Sequence, residues 1–262
     1  MTSIPSENYK ERIDALDNIV HHCIEVSQRF AGIPSSTGSH FYASVLFTSL
    51  CSRSVSLLIL APHTSWSEKF IEHWDYASIA GIVRSILEIR LAFFYLCTEK
   101  CSREEWECRW NLFNLHDCKS RIRLFEEITN ENESDDIEGF KKQADELQSR
   151  LNLNKYFMNM SEKQIKKFLK GGDAYLFPLE EIGQRAGIDR QTFRWLYKLL
   201  SIHVHGLPMS FYRMGSQERG RGVHSEVEEG YTSLCLSFAI SLLVAARDEM
   251  EKLFAEETSA CI

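Results

Sequence analysis

Two short patterns in this sequence hold side chains able to move a proton or grip an anion. The first is Arg84-x-x-x-Glu88. Residues four apart lie one above the other on a helix and can meet. A guanidinium oriented by a carboxylate presents its other N–H groups to a phosphate or carboxylate. The competing reading is a structural ion pair joining two helices. The second pattern is Tyr197-Lys-Leu-Leu-Ser201-Ile-His203-Val-His205-Gly206. At four-residue spacing Tyr197, Ser201 and His205 share one face, and His203 points elsewhere. Gly206 stops the helix beside His205, at the negative end of the macrodipole, which favours a protonated ring. Histidine can both take and give a proton, and the Ser201 hydroxyl one turn back could bond the ring or a phosphate. Alternatively His205 is a helix-end residue bonded to a carbonyl. A serine-hydrolase reading is poor, because neither a G-x-S-x-G elbow nor an α/β framework appears.

These residues need helices to hold them. Ile79 to Leu96 is apolar nearly all round, as expected of a central helix, yet carries Arg84, Glu88 and Arg90. Charges there need partners. Apolar spacing also predicts helices over 6–30, 41–60, 74–97, 102–128 and 227–254. Ser102/Glu105 and Ser161/Gln164 match the capping box, and Asp189 reads as the N-cap of a helix over 190–205. With 5 Pro and 13 Gly, breakers are few. The expected fold is all-α, one domain across 1–262. It is a helical bundle of about six to eight helices, with a charged helical insert or lid at 130–188.

A net charge of −7 is not the bulk signature of a nucleic-acid binder. Its distribution is uneven. Between Asp189 and His224, Arg190, Arg194, Lys198, Arg213, Arg219 and Arg221 face two acidic residues, giving +4. Arg213, Arg219 and Arg221, with Tyr197 and His203, are the expected substrate-binding groups. The start, Met1 to Lys10, is polar and lacks a signal-peptide pattern, so a cytoplasmic location and eight reduced cysteines are expected. No C-x-x-C or H-E-x-x-H occurs, and no P-loop or G-x-G-x-x-G. Neither a metal nor a cofactor is therefore expected. The apolar runs 41–61 and 233–246 read as core helices, with no membrane partner.

Arg84-x-x-x-Glu88 on an apolar helix, followed by Ser201-x-x-x-His205-Gly206, resembles a family of uncharacterised bacterial helical proteins that is similar to the HEPN superfamily. Helical members of that superfamily include RNases of toxin–antitoxin and antiphage systems. The resemblance spans about Phe41 to Phe254. It implies His205 as proton donor or acceptor, Arg84 as phosphate stabiliser and Glu88 as its orienter. The implied reaction is metal-independent attack of a ribose 2′-hydroxyl on the adjacent phosphate. It also implies RNA as a partner, a protein partner or antitoxin, and a homodimer.

HEPN nucleases place Arg four to six residues before His. Here Arg109-x6-His116 and Arg219-x4-His224 fit that spacing, and with 17 Arg and 9 His roughly two such pairs arise by chance. Arg109 and His116 form the second-choice site. The rival to an endoribonuclease or RNA-binding effector is a non-catalytic helical protein-interaction module. A nuclease requires Arg84, Glu88 and His205 to converge near the basic loop 213–221. An interaction module requires them mutually satisfied and closed to solvent.

Overall fold

The computed structural model describes residues 4–33, 35, 37–129, 135–205, 208–211 and 220–260, which are all-α and contain no strand. Nine helices have seven or more residues, more than the six to eight expected. The extra ones are short helices between 155 and 189, where apolar runs of under two turns leave little periodicity to read. The chain divides into two compact units, Met1–Thr98 with Gly183–Ile262, and Glu99–Ile182. The charged segment expected at 130–188 falls largely in the second unit, which also takes in the helix before it.

In the first unit, α1 (Glu7–Arg29), α2 (Gly38–Leu60), α3 (Tyr76–Phe93), α9 (Arg190–Val204) and α11 (Glu226–Ala260) are joined by the short α10 (Pro208–Phe211). Helix α3 is central, packing against α2, α9 and α11. Its Ile79, Val83, Ile86, Leu87 and Leu91 are fully buried, each stabilising the fold by about 1.5–3 kcal/mol. At its end the backbone widens into a π-helical turn, Phe94–Thr98. Arg90, almost fully buried, meets the requirement for a partner: it is ion-paired with Glu249 of α11, with the Phe93 and Phe94 rings beside it. By length and composition α2 and the 226–255 part of α11 could cross a membrane. Both contribute buried faces to this bundle, among them Phe47, Leu50 and Leu57, and Leu236, Leu243 and Met250.

The second unit contains α4 (Arg103–Thr129), α5 (Asp135–Leu153), α6 (Lys155–Met158) and α7 (Glu162–Leu169); α8 (Leu179–Arg185) straddles its boundary. Its core joins Cys108, Leu112, Leu115 and Cys118 of α4 to Ala144, Leu147 and Leu151 of α5, and to Phe157 and Phe168. Ile137, Phe140, Ala144, Leu147 and Leu151 follow a three-then-four spacing. Such a narrow stripe can bury one side of a charged helix. Gly171 closes α7 at φ +69°, where a Cβ would come within 2.8 Å of the Lys119 Cβ, so both backbone and space demand glycine. The seven described cysteines are free thiols. Burial pushes Cys23, Cys108 and Cys235 up to about 12, which keeps them protonated and inert.

Candidate functional site

Helix α9 begins where the sequence places it. The Asp189 carboxylate accepts the Thr192 N–H at 2.8 Å. Phe193, Leu196 and Leu200 form its buried stripe, which packs α9 onto α3. Tyr197, stacked on Phe193 with ring centroids 5.4 Å apart, is thereby turned towards Arg84.

The Arg84 guanidinium lies over the Tyr197 ring, 5.0 Å from its centroid. Its Nε donates to Glu88 Oε1 at 3.1 Å, one Nη donates to the Tyr197 hydroxyl at 3.2 Å, and the other Nη lies 3.1 Å from His205 Nε2. The Tyr197 hydroxyl in turn donates to Glu88 Oε1 at 3.2 Å. Arg84, Glu88, Tyr197 and His205 therefore form one connected group. Desolvation opposes the Arg84 charge, but the hydrogen bonds and negative potential of Glu88 and Tyr197 outweigh it and hold the guanidinium above its ordinary range. The group is open at one side. The Arg84 side chain is 15% exposed and that of Glu88 42%, and His205 is exposed.

An arginine side chain only donates. For Arg84 to donate across the 3.1 Å contact, His205 Nε2 must accept. An accepting Nε2 sets its lone pair beside the group that would stabilise an anion. Three of the five Arg84 N–H groups are engaged here, and two can face a ligand.

The remaining expected residues are dispersed. Ser201 shares the face, and its hydroxyl donates back to the Tyr197 carbonyl at 2.6 Å. His203 does point elsewhere: its Nε2 hydrogen-bonds the Tyr76 hydroxyl, and the Tyr76 ring stacks on Tyr231 at 4.9 Å. Arg213 and Arg219 lie outside the described residues, as does Gly206. Arg221 is exposed. Its neighbours tie that part of the chain down, with Gly220 N–H donating to Glu228 at 2.7 Å and Trp74 N–H to the Gly222 carbonyl at 3.2 Å.

Arg109 and His116 have separate partners. Arg109, 1% exposed, donates to Glu99 at 2.5 Å and to Glu105 at 2.6 Å, while His116 Nδ1 bonds the Gly171 carbonyl at 3.0 Å. These contacts all lie within the second unit. Among the described residues no three His, Cys, Asp or Glu side chains are grouped to hold a metal ion.

Two supporting residues carry no obvious mark in the sequence. Tyr76, eight residues before Arg84, holds His203. Glu228, 2% exposed, accepts from Tyr76 N–H at 3.4 Å as well as from Gly220. Glu228 carries the signal of a helix-dipole partner in the first turn of α11, which conceals its buried role.

No curated protein and no solved structure matches the chain. A family model described as a family of unknown function, DUF5677, matches residues 40–222. That span holds all but the first two residues of α2, all of α3 and α9, and every member of the Arg84 group. The chain belongs to the DUF5677 family.

Proposed function

We propose that the Arg84–Glu88–Tyr197–His205 group is the site of a HEPN-like, metal-independent endoribonuclease. The supporting observation is the 3.1 Å approach of His205 Nε2 to the Arg84 guanidinium. In the proposed reaction Nε2 takes the proton of a ribose 2′-hydroxyl. The 2′-oxygen bonds to phosphorus as the bond to the 5′-oxygen breaks, and the leaving 5′-oxygen takes a proton from water. The products are a 2′,3′-cyclic phosphate and a 5′-hydroxyl. Arg84 contributes by stabilising charge on the phosphorane oxygens, with Glu88 and Tyr197 fixing its plane. The test is incubation of the full chain with single-stranded and structured RNA in EDTA, beside His205→Ala. Cleavage leaving a cyclic-phosphate end, reduced roughly 10²–10⁴-fold in the variant, is expected. RNA left intact by both proteins sinks the proposal.

One observation favours the second reading, a protein-interaction module: Arg84 is already hydrogen-bonded to three side chains. On that reading the group fixes the register of α3 against α9, and His205→Ala changes stability alone. The role in antiphage or toxin–antitoxin systems, with an antitoxin partner or a second copy, is supported by the HEPN resemblance alone.

A further inference from the structure

The second unit carries a surface that the Arg84 group does not use. Lys163, Lys166, Lys167 and Lys170 stand at positions i, i+3, i+4 and i+7, the spacing that puts side chains on one face of a helix. Lys163 and Lys166 to Lys170 flank a side of α7 that stays at the surface, while Ile165, Phe168 and Leu169 turn to the core of the unit. The lysine face is therefore set outward by burial of its reverse.

Both ends of α7 are fixed. Ser161 and Gln164 form a reciprocal capping box at the start, and Gly171 closes the end. Lys166 is 3.6 Å from Glu162 and Lys167 is 2.9 Å from Asp173, whereas Lys163 and Lys170 form no ion pair among the described residues. Glu162 and the four lysines line an open groove of about 590 Å³. From 155 to 170 there are five Lys against one Glu, or +4, in a chain of net charge −7. So compact a positive stripe on an acidic protein suits a polyanion whose charges repeat along a line.

We infer that the α7 lysine face is a docking surface for the phosphate backbone of RNA. It shares no residue with the group proposed for cleavage, and it rests on that reading only in taking RNA as the polyanion. Lysines act there as mobile point charges, so the surface contributes affinity and not sequence choice.

The test measures binding of the full chain to a fluorescent 2′-O-methyl RNA 20-mer, which cannot be cleaved through its 2′-oxygen, across a salt series. The comparison proteins are a Lys163→Gln/Lys166→Gln/Lys167→Gln/Lys170→Gln variant and the Lys163→Gln/Lys170→Gln double variant. Each phosphate that a lysine no longer neutralises on a single strand flattens the slope of log K against log salt by about 0.7. A slope shallower by about 2–3 in the quadruple variant is expected, with affinity reduced at least tenfold. The double variant, which removes no ion pair, should show about half of that flattening and reports independently if the quadruple variant unfolds. The readout is binding and not cleavage, so a failed cleavage assay leaves this result readable. Unchanged slopes in both lysine variants overturn the inference. So does a parent that binds phosphatidylserine vesicles and not the RNA.

Discussion

Tyr197→Phe isolates the hydroxyl that joins three members of the site. The change keeps the ring, its stack on Phe193 and its place under the Arg84 guanidinium, so no cavity opens. It removes one hydrogen bond from Arg84 and one to Glu88, each 3.2 Å. Hydrogen bonds to charged groups contribute about 1.5–3 kcal/mol apiece when well buried. These are at the long end of the range, and the Glu88 side chain is 42% exposed, so water recovers much of the loss. A combined destabilisation of about 1–2 kcal/mol is expected, read from urea unfolding. In a cycle with Glu88→Ala the two changes should be non-additive by about 0.5–1 kcal/mol. If the lost energy positions Arg84 for the transition state, each 1.4 kcal/mol is about tenfold in cleavage rate. A neutral Tyr197→Phe, or additivity within about 0.3 kcal/mol, refutes the linked group.

Two further outcomes follow from the same geometry. Nitrogen-15 NMR of His205 should show the neutral tautomer protonated at Nδ1, and Arg84→Ala should release that preference; a signal protonated at Nε2 in the parent contradicts the hydrogen bond from Arg84. Glu229 accepts from the Ser6 N–H at 3.2 Å and pairs with His224 at 2.6 Å. Burial pushes its carboxyl up, but these partners outweigh that and hold it below the usual 4.5. Its stabilisation is therefore fully present above pH 4.5 and lost as pH falls through the depressed folded value. In urea unfolding from about pH 3 to 7, Glu229→Gln should be less stable than the parent at the upper end and indistinguishable at the lower end.

The parts of the fold legible in the sequence are those where local chemistry and burial agree. Asp189, Ser161 and Ser102 each cap a helix, because a side-chain oxygen beside free N–H groups leaves a short, position-specific pattern. Arg84 and Glu88 stand out because charge on an all-apolar helix is costly without partners. The π turn at Phe94–Thr98 has no such local sign, since its extra residue is accommodated by packing against α2 and α11. The partner of His203 is hidden too, because Tyr76 is 127 residues away and nothing in either neighbourhood names the other. The Ser201 hydroxyl takes the carbonyl four residues back, as serine in a helix interior readily does.

The intervening second unit gives the site a place in time as well as in space. His205 is 121 residues beyond Arg84, and the compact unit 99–182 is made between them. At about 5–20 residues per second, roughly 6–24 s of synthesis separate the two. During that interval the ribosome-bound chain holds the guanidinium but no imidazole to meet it. On the nuclease reading, a growing chain is thus harmless to its own message until most of it has been translated.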